Sequence, residues 1–85
     1  MLDIIFAKQA QKDYNYFAKT NPALKSRIDK LVESIQHTPF EGLGKPEPLK
    51  FDFQSYWSRR IDHEHRLVYK IFEDTLYIAQ CRYHY

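Results

Sequence analysis

Asn21-Pro22-Ala23-Leu24-Lys25-Ser26-Arg27-Ile28-Asp29-Lys30-Leu31-Val32-Glu33-Ser34-Ile35 is the stretch that decides the fold. Asn is a preferred helix N-cap, and Pro at the first helical position loses nothing, because a helix start leaves that N–H unpaired anyway. Leu24, Ile28, Leu31, Val32 and Ile35 then recur at helical spacing and form one apolar stripe. Pro39 stops the run, since the residue before a proline is pushed out of the helical region. Upstream, Lys8 to about Thr20 is polar, with Ala10, Tyr14, Phe17 and Ala18 on a common helical face. Two helices joined by two or three residues make a hairpin.

Outside the hairpin the chain reads as strand and loop. Leu2 to Phe6 is short, apolar and β-branched, a first strand. Phe40 to Pro48 holds both glycines of the protein and has the composition of a loop. Leu49 to Phe53 alternates, Tyr56 to Ile61 and Arg66 to Phe72 read as strands, Glu73-Asp74 as a turn, and Thr75 to Tyr85 as a final strand. The expected fold is α+β: an N-terminal strand and a two-helix hairpin packed on one face of a mainly antiparallel sheet of four to five strands. No repeat, linker or composition break divides the chain, so residues 1–85 read as a single domain.

Composition sets the bounds. A chain of 85 residues buries roughly 60–65% of its unfolded surface, so its core is thin. Seven Tyr, six Phe and one Trp fill that core and leave rings over to line a binding face. A net charge of +2, spread about evenly over both halves, neither demands nor excludes nucleic acid; local clustering decides. The single Cys excludes an internal disulfide and suits a reducing compartment, and Cys81 reads as a packing residue. Asp3 interrupts an apolar start of only a few residues, so no signal peptide is visible and no stretch is able to span a membrane. The expected location is the cytoplasm.

The residues with chemistry to offer lie in the second half. Arg82-Tyr83-His84-Tyr85 supplies a cation that grips phosphate, an imidazole that moves protons near neutral pH, and phenols that hydrogen-bond or stack on a base. Those are the parts needed to cleave RNA without a metal; an amphipathic strand that closes a sheet is the plainer alternative. Period-two alternation places Arg66, Val68 and Lys70 on one strand face and Leu67, Tyr69 and Ile71 on the other. It likewise puts Leu76, Ile78, Gln80, Arg82 and His84 on one face, which turns from apolar to polar. Lys45, Lys50, Arg59, Arg60 and Arg66, interleaved with Phe51, Phe53, Tyr56 and Trp57, suggest a cationic, aromatic surface for single-stranded RNA. The alternative is a solvated face whose arginines pair with Asp52, Asp62 and Glu64. Pro46 and Pro48 hold Glu47 in one place, which surface loops do not usually need. His63-Glu64-His65 offers alternating imidazoles but no placed third ligand for a metal, and reads as a surface turn.

In order and spacing, Thr38-Pro39-Phe40-Glu41-Gly42, Gly44-Lys45-Pro46-Glu47-Pro48-Leu49-Lys50, Trp57-Ser58-Arg59-Arg60-Ile61, Glu64-His65-Arg66-Leu67-Val68-Tyr69 and Cys81-Arg82-Tyr83-His84-Tyr85 resemble the Txe/YoeB toxins of the RelE superfamily. The motifs run from residue 38 to residue 85; the first third matches only in layout. The resemblance implies a compact, microbial-ribonuclease-like fold and a cofactor-free, ribosome-dependent mRNA endoribonuclease, the toxin of a type II toxin–antitoxin pair. It implies cleavage of codons in the ribosomal A site, with contacts to both ribosomal subunits, and toxin homodimers. It also implies a YefM-like antitoxin with an acidic, partly disordered C-terminal segment, operator DNA being reached only through the antitoxin complex. Carried over residue by residue, the resemblance makes Glu47 the general base, Arg66 the stabiliser of the transition-state phosphate and His84 the general acid, with Tyr85 the terminal tyrosine of the site. Lys50 and Arg60 match positions that hold the scissile phosphate or its neighbours, with Arg59 expected beside them on the basic groove. Ser55 stands where many members have Gly. Two rival functions, a catalytically silent RNA-binding module and a groove that only holds an acidic peptide, use the same cations without needing Glu47 and His84 together.

Overall fold

The computed structural model describes residues 1–50 and 55–83. Its elements are β1 (Asp3–Phe6), α1 (Lys8–Thr20), α2 (Pro22–His37), β2 (Glu47–Pro48), β3 (Trp57–Arg60), β4 (Arg66–Phe72) and β5 (Thr75–Gln80). The described strands form one sheet in the order β1-β5-β4-β3-β2. The β1–β5 pair is parallel, with Ile4 opposite Leu76, and the other pairs are antiparallel.

Asn21 makes the hairpin. Its backbone N–H closes α1 on the Phe17 carbonyl at 2.8 Å, and its side chain accepts from the Leu24 N–H at 3.3 Å to open α2. Ile28, Leu31 and Ile35 of α2 are fully buried, as are Leu67, Tyr69, Leu76 and Ile78 on the sheet face that meets the helices. In α1 the buried residues are Ala10, Asp13 and Phe17, whereas Ala18, expected on the apolar face, is exposed.

Two strand assignments change. Glu47–Pro48, read as loop, forms an edge strand of the described sheet, while Leu49 and Lys50 follow it outside any strand; Phe51 to Phe53 lie outside the described residues. Pro48 is tolerated because β2 is an edge. The last strand ends at Gln80 instead of running to Tyr85. The β4–β5 register jumps from Tyr69–Ile78 to Val68–Gln80, skipping Ala79. Leu76 and Ile78 face the helices before this irregularity; after it Cys81 does so, fully buried with its thiol 3.5 Å from the Ala10 carbonyl. One extra residue in a ladder reverses the alternation next to it, so the expected single face is already broken at Cys81; His84 lies outside the described residues.

Arg59 is the largest correction. Expected on a cationic surface, it is fully buried. Its Nε donates to the Tyr69 hydroxyl at 3.2 Å, Nη1 to Ser34 Oγ at 2.7 Å and the Leu43 carbonyl at 2.9 Å, and Nη2 to the carbonyls of Thr38 at 2.6 Å and Glu41 at 2.9 Å. The Tyr69 hydroxyl in turn donates to the Pro39 carbonyl at 2.6 Å. A guanidinium has five N–H donors, and here each has an acceptor. The cation thus replaces water for the end of α2 and the loop behind it. Gly44 closes the loop with φ +86° and its carbonyl 2.6 Å from the Arg60 N–H; a Cβ there would fall 2.7 Å from Leu31 Cδ2. Replacing Arg59 by Leu strands several buried acceptors at about 1–3 kcal/mol each, so urea unfolding should show a loss of about 3 kcal/mol or more. A loss below about 1 kcal/mol would mean that the loop holds itself without the guanidinium.

Candidate active site

Antiparallel partners point to the same face of a sheet. Glu47 pairs with Ser58, Ser58 with Val68, and Arg60 with Arg66, so Glu47, Arg60 and Arg66 meet at one end of the face away from the helices. Glu47 Oε1 lies 3.9 Å from Arg66 Nη1, the carboxylate half-exposed and the arginine largely buried. Arg60, exposed, sits directly across from Arg66. Like charges directly opposite one another destabilise a strand pair. Two cations beside a carboxylate have the chemistry to hold the oxygens of a phosphodiester and to accept a proton next to them.

Lys50 is exposed two residues beyond β2, after Leu49, whose N–H donates to the Tyr56 carbonyl at 2.9 Å. Further along the same face, Lys70 Nζ stands 5.1 Å from the Tyr56 ring centroid and 5.6 Å from that of Tyr77. The structure therefore brings Glu47, Arg60 and Arg66 together and removes Arg59. His84 and Tyr85 lie outside the described residues.

The segment that leads to them is tightly held. The Cys81 N–H donates to Asp13 Oδ2 at 3.1 Å, and the Arg82 guanidinium lies 3.6 Å from the centroid of the Tyr16 ring. The Tyr83 N–H donates to His65 Nδ1 at 2.8 Å, while the Tyr83 carbonyl accepts from the Arg66 N–H at 3.0 Å. The tail is thereby tied to the strand that carries the site arginine. Asp13 and His65 were missed by sequence reasoning. Asp13 falls between Ala10 and Phe17 on the buried stripe of α1, and a lone carboxylate at such a position is the signal that would have found it. The sequence reads His63-Glu64-His65 as a surface turn; His63 and Glu64 are exposed, but His65 is buried. Among the described residues no three His, Cys, Asp or Glu side chains gather into a metal-binding group.

The turn that sets His65 is built by Asp62, whose Oδ1 accepts from the Glu64 N–H at 2.8 Å and the His65 N–H at 2.7 Å. Burial raises this carboxyl, but those two N–H donors and the neighbouring histidines outweigh it and hold it below the ordinary carboxylate value. A depressed carboxyl stabilises the fold above its unfolded pKa, and that contribution fades as pH falls through the folded value.

The sequence profile of YoeB-like toxins of bacterial type II toxin–antitoxin systems matches residues 6–85. The chain belongs to this family. Toxin YoeB of Escherichia coli strain K12 is 46% identical over 84 residues, covering 99% of this chain and 100% of that protein. A YoeB dimer from Staphylococcus aureus superposes with a TM-score of 0.93 at 46% identity, over 99% of this chain and 98% of the other. The toxin chain of a YoeB–YefM complex from the same organism gives 0.92 at 46% identity, over 100% and 99%. Both solved structures match this fold over nearly the whole chain. No described helix is long and apolar enough to cross a membrane.

Burial, with the nearby Asp13 carboxylate, pushes the Cys81 thiol up to about 12. The thiolate is the reactive form, so iodoacetamide at pH 8 should leave the folded protein unmodified and alkylate it fully in denaturant. Stoichiometric labelling without denaturant would contradict the anchoring of the segment by Asp13.

Proposed function

We propose that the chain is a metal-independent endoribonuclease that cuts mRNA in the ribosomal A site. The observation that carries this reading is the Glu47–Arg66 pair, 3.9 Å apart on the sheet face away from the helices. RNA brings its own nucleophile, the 2′-hydroxyl. Glu47 takes that proton as the oxygen attacks the adjacent phosphorus, Arg66 neutralises the charge that builds on the non-bridging oxygens, and His84 protonates the departing 5′-oxygen. Arg60 and Lys50 hold the flanking backbone, with Tyr85 beside the acid. Residues 1–85 act as one catalytic domain. Dependence on the ribosome suits so small a surface, because the ribosome presents the codon already oriented for in-line attack.

By analogy with the S. aureus dimer and YoeB–YefM complex, the partners are a second copy of this chain and a YefM-like antitoxin whose acidic segment lies over Arg60, Arg66 and the tail, in the cytoplasm. Operator DNA is reached only through that complex. A groove that merely holds an acidic peptide has no use for Glu47, which would repel it.

On programmed ribosomes the products should carry a 2′,3′-cyclic phosphate or 3′-phosphate and a 5′-hydroxyl, at a rate that a chelator leaves unchanged while the ribosome stays intact. Glu47→Ala and Arg66→Ala should each slow single-turnover cleavage roughly 10²–10⁴-fold with little change in melting temperature. Products with 5′-phosphates, or wild-type cutting by Glu47→Ala, would overturn the assignment.

A further inference from the structure

We infer that His65 is a positioning residue for the cleaving terminus: its imidazole stands in for a missing strand carbonyl and fixes the backbone of Tyr83, from which the His84-Tyr85 segment departs. The role of that segment rests on the cleavage chemistry proposed above; the clamp itself does not.

Regular pairing of β4 with β5 stops at Val68 and Gln80. Beyond it the Arg66 N–H reaches the Tyr83 carbonyl, so residues 81–83 oppose residues 66–67 and the tail side carries one residue too many. A bulge of this kind re-aims a chain, and it leaves backbone groups without their ladder partners. Two of those groups are met by side chains from elsewhere in the sequence: Asp13 takes the Cys81 N–H and His65 Nδ1 takes the Tyr83 N–H. Adjacent residues, His65 by its ring and Arg66 by its backbone, therefore hold both polar backbone groups of Tyr83. Tyr83 has φ +64°, a conformation that a residue with a side chain keeps only when its surroundings impose it.

The clamp is rigid. The His65 N–H is held by Asp62, and its carbonyl accepts from the N–H groups of Ile61 at 3.0 Å and Asp62 at 3.3 Å. Its ring packs edge-on against Phe17, centroids 5.1 Å apart, and lies 5.9 Å from the Tyr83 ring. Accepting at Nδ1 leaves the ring proton of the neutral imidazole on Nε2, and that atom lies 3.7 Å from the Glu64 carboxylate. The acceptor thus faces the tail and the donor faces the acid. Sequence position makes the link functional: the residue next to the site arginine fixes the residue next to the proposed general acid.

Wild type, His65→Asn and His65→Leu form the test. Asn presents Oδ1 near the place of Nδ1; Leu keeps an apolar contact with Phe17 and accepts nothing. Amide hydrogen exchange of Tyr83 by NMR, which needs no RNA, should be protected in wild type and His65→Asn and fast in His65→Leu, with Leu76 and Ile78 protected in all three. Cleavage by His65→Leu at saturating ribosome–mRNA complex should fall roughly tenfold or more, with the half-saturating concentration unchanged, and His65→Asn should restore it. Tyr83 protection unchanged in His65→Leu would overturn the inference, as would a loss of cutting that His65→Asn fails to restore or that only tracks the melting temperature. Should the exchange pattern hold while wild type cuts no RNA, the cleavage chemistry is wrong and the clamp stands.

Discussion

The structure depends on one buried cation. Arg59 joins Ser34 at the end of α2, the carbonyls of Thr38, Glu41 and Leu43 in the loop, and the Tyr69 hydroxyl on β4. A chain this small cannot wrap its loops in apolar surface, and a loop carrying buried carbonyls needs donors. One guanidinium supplies them all at once. The loop so fixed runs through Gly44, whose carbonyl binds the Arg60 N–H, directly into Glu47. The acidic half of the site is therefore placed by a residue that never meets solvent.

The basic half follows from sheet pairing. Arg60 opposite Arg66 is an unfavourable arrangement for a strand pair and a favourable one for a bound phosphate. That cost falls on the face away from the helices, while Leu67, Tyr69, Leu76 and Ile78 are fully buried on the other. Asp13 supports the tail by taking the Cys81 N–H, and Asp62 sets the turn that carries His65 by taking the N–H groups of Glu64 and His65.

The hairpin was legible because Asn21-Pro22 and a helical stripe are strong local signals, and β3, β4 and the start of β5 because their alternation is regular; the two-residue β2 is too short to carry a pattern. The failures share a cause. Tyr83 and Arg59 are placed by partners distant in sequence, which periodicity does not encode. The irregularity at Ala79 puts Cys81 on the face of Leu76 and Ile78, and Arg59 resembles a surface arginine until its five acceptors, scattered over three elements, come together. Glu47, Arg60 and Arg66 stand in motifs that keep the family's order and spacing, and sheet pairing brings the three to one end of one face.

In the proposed reaction the protein supplies proton transfer and charge to a nucleophile that belongs to the RNA. Replacing the single ribose on the 5′ side of the scissile bond with 2′-deoxyribose, in an A-site codon on otherwise unchanged programmed ribosomes, tests it most directly. Cleavage at that bond should vanish, while an identical all-ribose message is cut. Cutting of the deoxy-substituted codon at the normal rate would show that another nucleophile attacks the phosphorus, and would contradict the account.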